Sequence, residues 1–161
     1  MKIAIIYASK YGTTEKVAGS IAEKLRENNE VELISIKINA NPNISDFGTV
    51  ILGSSIYAGK ASGKMKSFCA KNEQALLRKK IGLFVCGMEP SRAKRQKELV
   101  DAYPEVLSKS AVATGFLGGE FKFEEMNFFE RFIIKRISKT NESVSRIDEH
   151  AMGVFIEKLL E

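Results

Sequence analysis

Six consecutive residues near the start of the chain combine hydroxyl groups, a glycine and a cation: Ser9, Lys10, Tyr11, Gly12, Thr13 and Thr14. They follow an apolar run over residues 3–8 and precede a helical pattern that opens near Thr14. Hydroxyls and backbone amides in such a turn can bind an anion, helped by the unpaired N–H groups and positive dipole end of the following helix. The segment therefore predicts a phosphate-binding turn at the mouth of a parallel sheet. An ordinary turn with a helix N-cap is the alternative.

The composition is that of a globular protein. The chain has 161 residues, 44% of them hydrophobic and only three of them proline, so we expect one domain over residues 1–161 without a long linker. No apolar run approaches the roughly 20 residues of a membrane span, and the N-terminus lacks a signal-peptide pattern. We therefore expect a cytoplasmic protein. Cys69 and Cys86 lack metal-ligand spacing, which favours free thiols and no metal site.

The charge balance is basic, with a net charge of +5 and an isoelectric point near 9.2. Such a balance favours anionic partners, namely phosphates, acidic lipid, a carboxylated substrate or nucleic acid. A mildly basic surface without any such partner is the alternative. The chain contains neither an RNP-like strand nor zinc-finger spacing, so nucleic acid is not expected among its partners.

Apolar strand patterns alternate with helical patterns along the chain. Strands are predicted over residues 2–8, 31–36, 49–53, 80–87 and 111–117, and helices over 14–28, 62–78, from Pro90 onward, and 145–160. This alternation predicts an α/β fold with a doubly wound, five-stranded parallel sheet in the order 2-1-3-4-5. A helical insert over roughly residues 119–143 follows the fifth strand.

In such a sheet a ligand binds outside the carboxyl ends of the strands, at the switch point between the first and third strands. Three loops end there. The first is the hydroxyl-rich turn. The second contributes Ser54, Ser55, Ile56, Tyr57 and Ala58, and the third contributes Cys86, Gly87 and Met88. All three are predicted to line one crevice.

The pattern hydroxyl-x-x-Gly-x-Thr, here Ser9, Gly12 and Thr14, resembles the phosphate loop of flavodoxin-like proteins. The resemblance covers the whole chain in element order, and it implies a flavodoxin-like fold that binds FMN through the three loops. The flavin ring would then lie against Tyr57, Ile56 and Met88. A surface position is the alternative for Tyr57.

The C-terminal third resembles a narrower family. The run from Gly118 to Phe123 and the aromatic, basic run from Phe128 to Lys135 are similar to the insert of menaquinone-dependent protoporphyrinogen dehydrogenases. This resemblance implies an FMN-dependent dehydrogenase that oxidises a porphyrinogen and passes electrons to a quinone in haem biosynthesis. The alternatives are a flavodoxin-type electron carrier with a redox partner protein, and a flavin-free binding module.

Two basic segments are candidates for contact with a substrate or with an anionic membrane at the inner face of the cell. One helix of the insert carries Phe128, Phe129, Phe132 and Lys135, and the helix after the third loop carries Arg92, Lys94 and Arg95. For each segment the alternative is structural: the aromatic residues pack on their own domain, or the cations are simply solvated.

Overall fold

The structure is a computed structural model that describes residues 1–121 and 144–161. Its strands are β1 (Lys2–Ala8), β2 (Glu30–Ser35), β3 (Thr49–Tyr57), β4 (Lys60–Ala61), β5 (Lys80–Cys86), β6 (Ala113–Phe116), β7 (Gly118–Phe121) and β8 (Val144–Ile147). Its helices are α1 (Thr13–Arg26), α2 (Gly63–Leu76), α3 (Arg92–Asp101), α4 (Glu105–Ser110) and α5 (Glu149–Leu160). No helix in these ranges is both long and apolar enough to cross a membrane.

The central sheet has the strand order β2-β1-β3-β5-β6, and all of its neighbouring strands are parallel. The prediction of a doubly wound α/β sheet in the order 2-1-3-4-5 is therefore confirmed, because β5 and β6 are the fourth and fifth strands of that order. The added β4 is a short strand that pairs antiparallel with the end of β3. Continuous apolar runs such as β1 form these strands because both faces of the sheet are covered.

Two apolar cores lie on opposite faces of the sheet. One core packs α1 and α5 against Ile3, Ile5 and Phe84, and the other packs α2, α3 and α4 against Ile6 and Leu52. Alternate side chains of each strand enter opposite cores, as the period of a β-strand requires. The helices therefore cover both faces of the sheet.

Several predicted boundaries were wrong. The segment from Ser54 to Tyr57 is the end of β3 rather than a loop, because β4 pairs with it. The first-turn N–H of Lys94 donates to the Ser91 side chain, so α3 begins at Arg92 and not at Pro90. The predicted last helix is divided into β8 and α5, which begins after Asp148 caps the Ala151 N–H at 2.8 Å.

The predicted insert is described only at its start. Gly119 to Phe121 belong to β7, which pairs antiparallel with β8 beyond the carboxyl end of β5. Residues 122–143 are not described, and they include Phe128, Phe129, Phe132 and Lys135. The contacts predicted for these four side chains stay predictions.

One close contact in the middle of the sheet requires glycine. A Cβ added at Gly53 would lie 2.1 Å from the nearest ring carbon of Phe84 on the neighbouring strand. The Phe84 ring is fully buried and packs edge-on against Phe155 of α5, with ring centroids 5.9 Å apart. The ring therefore has no free space into which it could move.

We expect Gly53→Ala to destabilise the protein and Gly19→Ala to stabilise it. The first change overpacks the core, at a cost of about 1–3 kcal/mol. The second lies in α1, where an added Cβ meets no atom within 4 Å, so alanine should contribute about 0.5–1 kcal/mol through its better helix propensity. Urea unfolding of both variants measures these changes, and a neutral Gly53→Ala would contradict the packing account.

Candidate functional site

The candidate site begins with the register of three neighbouring strands. Ala8 at the end of β1 pairs with Ser54 of β3, and Ser55 of β3 pairs with Cys86 at the end of β5. The segments that follow these residues therefore leave the sheet side by side. The structure thus brings together the hydroxyl-rich turn after β1, the β3–β4 hairpin and the segment after β5.

The turn after β1 is closed by a side chain and a glycine. The backbone N–H of Gly12 donates a hydrogen bond to Ser9 Oγ at 3.0 Å. Gly12 has φ +89°, in the left-handed region that favours glycine, and α1 begins at the next residue. The Ser9 hydroxyl therefore shapes the turn that brings the first N–H groups of α1 to the edge of the sheet.

The two threonines at the start of α1 are both buried, but their hydroxyls differ in their partners. Thr13 Oγ1 donates to Glu120 Oε2 at 3.3 Å. Thr14 is 1% exposed, and its Oγ1 has no oxygen or nitrogen partner among the described residues; its hydrogen-bonding neighbour is the Cys86 thiol. A thiol is a weak hydrogen-bonding group, so this buried hydroxyl at the start of a helix is well suited to meet an oxygen of an anionic ligand.

The Cys86 thiol lies beneath this turn and is protonated. Its pKa is raised to about 12, mainly by burial; a hydrogen bond with the Thr14 hydroxyl lowers the pKa and the charge of the Glu120 carboxylate raises it. Cys86 is 3% exposed and belongs to the core that contains α1. Its side chain packs in that core, and its predicted contact with a cofactor stays a prediction.

Two aromatic rings and a cation join the turn to the hairpin. Lys10 Nζ lies 3.5 Å from the ring centroid of Tyr57, and the Tyr11 ring meets Tyr57 edge-on at a centroid distance of 6.2 Å. Ala58 and Gly59 both have positive φ, 48° and 75°, and form the tight connection to β4. The hairpin thus presents Tyr57 beside the turn, where a planar ligand could stack on it.

Other predicted residues of the second and third loops have roles within the fold. Ser54 is fully buried, and its Oγ accepts a hydrogen bond from the Ser62 N–H at 3.1 Å, which ties β3 to the start of α2. Ile56 packs against the buried Gly87. Met88 is half-buried and lines an open cavity of about 340 Å³ together with Arg95 and Arg146, and no residue of the turn or the hairpin lines this cavity. The Ser54 hydroxyl is therefore engaged within the fold, and its predicted contact with a cofactor stays a prediction.

The basic residues of α3 also divide into two groups. Arg92 and Lys94 are exposed. Arg95 instead donates from Nε to the Glu89 carbonyl, and its guanidinium lies over the Phe116 ring at 5.3 Å. Arg95 thus anchors the segment after β5, a structural role that the sequence-based interpretation did not foresee.

A residue of the site that sequence reasoning missed is Glu120 in β7. Its Oε1 accepts hydrogen bonds from Lys16 Nζ at 3.0 Å and from Ser145 Oγ at 2.9 Å, in addition to the Thr13 contact at Oε2. The Glu120 side chain is only 6% exposed. No local signal could have indicated it, because Glu120 lies 107 residues from Thr13 in the chain.

These features define an α/β protein with a hydroxyl-rich turn at the switch point of a parallel sheet. Residues 4–148 match the family described as the flavodoxin domain, so the chain belongs to that family. A curated flavodoxin from Clostridium saccharobutylicum is 30% identical over 84 residues, which are 51% of this chain and 52% of that protein. The match thus spans about half the length of this relative.

Solved structures show the same fold. Flavodoxin 1 from Bacillus cereus is 22% identical with a TM-score of 0.55, and the alignment covers 88% of this chain and 100% of that one. A short-chain flavodoxin associated with a bacterial microcompartment is 14% identical with a TM-score of 0.59, covering 99% and 97%. A flavodoxin from Fusobacterium nucleatum is 19% identical with a TM-score of 0.50, covering 98% and 92%.

A second carboxylate lies near the segment after β5. Glu98 of α3 has a buried Oε2 without a hydrogen-bond partner among the described residues. Burial raises the pKa of Glu98 above its ordinary value of 4.5, and Glu89 raises it further, whereas Arg95 and Lys94 lower it. The folded protein therefore binds a proton at Glu98 more tightly than the unfolded chain does. The contribution of Glu98 to stability is full below the unfolded pKa and is lost as the pH rises toward the folded value.

We expect Glu98→Gln to gain stability relative to the unchanged protein as the pH rises from about 4 to about 7, because glutamine remains neutral throughout. Thermal unfolding of both proteins across that range measures the difference. Glu105→Gln, at an exposed carboxylate of α4, is the control. A difference that stays constant or shrinks with rising pH would contradict the assignment.

Proposed function

We propose that this chain is a flavodoxin-type electron-transfer protein that binds FMN in the crevice between the turn after β1 and the β3–β4 hairpin. The observation that carries the proposal is the buried Thr14 hydroxyl at the start of α1, beside the Gly12 turn, which has no oxygen or nitrogen partner among the described residues. Membership of the flavodoxin-domain family supports it. The Fusobacterium nucleatum relative was solved with flavin mononucleotide bound.

The flavin phosphate would bind at the turn. The first N–H groups of α1 have no acceptor within the helix, and the dipole of α1 favours a negative charge there. Thr14 Oγ1 would donate to a phosphate oxygen, which would give this buried hydroxyl the oxygen partner that the described residues do not supply. Ser9 would act through the shape of the turn, because its Oγ already accepts from Gly12.

The ring of the flavin would lie beside Tyr57. FMN, when bound, supplies one- and two-electron transfer at its isoalloxazine ring. Tyr57 would orient the ring by stacking, for which the Lys10 ammonium must move from its place over the tyrosine ring. Met88 and the backbone near Gly87 would flank the other side of the crevice and exclude water from it.

Electron transfer is preferred to protoporphyrinogen oxidation with a quinone acceptor. The relatives described above are flavodoxins. The aromatic and basic residues that resemble the dehydrogenase insert lie in the part of the chain that is not described, and Arg95 is engaged within the fold. No described residue therefore favours a porphyrinogen site or a membrane contact over a protein redox partner.

We expect Thr14→Val to weaken FMN binding roughly 10-fold or more, because it removes a hydrogen bond to a charged group and leaves the shape of the side chain. Titration of the apoprotein with FMN, followed by quenching of flavin fluorescence, measures the dissociation constant. Ser20→Ala, which removes an exposed hydroxyl of α1 bonded to the Lys16 carbonyl, is the matched control.

A comparison of FMN with riboflavin shows whether Thr14 acts on the phosphate. Riboflavin lacks the phosphate, so its affinity should be equal for Thr14→Val and the unchanged protein. An equal loss of affinity for FMN and riboflavin would show that the phosphate does not bind at Thr14. Failure of the unchanged protein to bind FMN would refute the proposed function.

We expect the FMN-loaded protein to take electrons from an NADPH-dependent flavodoxin reductase and to pass them to cytochrome c. An absorbance assay of cytochrome c reduction, with FMN-free apoprotein as the control, measures this transfer. Anaerobic oxidation of protoporphyrinogen with a menaquinone analogue is the competing activity. Its occurrence without reductase-driven transfer would favour the dehydrogenase.

A further inference from the structure

We infer that Glu120 is an internal anion that opposes binding of the flavin phosphate and so lowers the preference of this chain for FMN over riboflavin. This inference rests on the proposed function, because it concerns the phosphate site at the start of α1. The observation is that a nearly buried carboxylate of β7 already lies against the first turn of that helix.

The position of Glu120 is set by the β7–β8 hairpin. The Gly87 N–H donates to the Gly118 carbonyl at 2.8 Å, and a Cβ added at Gly119 would lie 2.7 Å from the Gly87 carbonyl oxygen. The start of β7 therefore packs directly against the end of β5. In register, Glu120 pairs with Ser145 of β8. Backbone packing of the β7–β8 hairpin therefore holds the Glu120 carboxylate beside α1.

The groups that contact Glu120 all stabilise a negative charge. Thr13 Oγ1 donates at 3.3 Å, Lys16 Nζ at 3.0 Å and Ser145 Oγ at 2.9 Å. Thr13 and Lys16 both belong to the first turns of α1, whose dipole also favours negative charge. The first turn of α1 thus stabilises a carboxylate of the same chain before any ligand binds.

A phosphate dianion at Thr14 would share this turn with the carboxylate. Glu120 is 6% exposed, so water screens its charge poorly, and two anions at one helix start repel each other. The repulsion weakens phosphate binding if Glu120 stays in place. If Glu120 moves away, the contacts it leaves must be replaced, and the affinity falls again. In both cases we expect Glu120 to lower the affinity for the phosphate.

The effect should be confined to the phosphate. Tyr57 and the hairpin lie on the other side of the turn, where Lys10 and Tyr11 contact the ring. The hydrogen bonds of Glu120 described above lead instead to Thr13, Lys16 and Ser145. Riboflavin, which has the same ring and no phosphate, should therefore be insensitive to the charge of Glu120.

The test is Glu120→Gln, which keeps the size of the side chain and its capacity to accept from Thr13 and removes the charge. Dissociation constants for FMN and riboflavin are measured by fluorescence quenching on the full-length apoprotein. We expect FMN to bind roughly tenfold more tightly and riboflavin to bind as before. Glu105→Gln, which removes one negative charge from an exposed ion pair on α4, should change neither constant.

Each outcome decides between explanations. An unchanged ratio of the two constants, or weaker FMN binding by Glu120→Gln, overturns the inference and makes Glu120 a residue that positions Thr13 and Lys16. Absence of FMN binding in every protein refutes the proposed function, and the inference with it. Glu120→Ala, which also removes the carboxylate, should shift the ratio in the same direction, and it replaces the glutamine variant if that variant does not fold.

Discussion

The site depends on the register of three parallel strands. Because Ala8 pairs with Ser54 and Ser55 pairs with Cys86, the segments that leave these strands start in one row. A slip of one residue in either pairing would send each side chain to the opposite face of the sheet. It would separate Gly53 from the Phe84 ring that fills the space above it. The same packing that stabilises the core therefore also places the hydroxyl-rich turn beside the hairpin.

Several polar and charged groups meet at the start of α1. Its first turn carries a buried hydroxyl on Thr14, without an oxygen or nitrogen partner among the described residues, and a hydroxyl on Thr13 that is already bonded to Glu120. The Glu120 contacts stabilise the β7–β8 hairpin in the absence of a ligand, and in the proposed competition the same contacts lower ligand affinity. A single carboxylate would thus link the stability of an added hairpin to the occupancy of the crevice.

A basic composition does not by itself indicate a docking surface. Arg95 belongs to a run of cations on α3, yet its guanidinium holds the segment after β5 by contacts with Glu89 and Phe116. Lys97 of the same run pairs with Asp101. Lys16 is paired with Glu120. Several cations that contribute to the net charge of +5 therefore make contacts within the protein. The basic composition is for this reason weak support for an anionic substrate.

The amino-acid sequence by itself determined the fold class, the order of the parallel strands and the position of the turn from Ser9 to Thr14. These follow from local patterns: apolar runs buried on both faces, helical spacing, and a glycine that permits a left-handed turn. Only the tertiary structure decided that Ser54 and Arg95 serve the fold and that Glu120 meets α1. Their partners lie on other elements, and the Glu120 contact closes a separation of 107 residues. Such contacts arise from how the strands and helices pack, which no local pattern encodes.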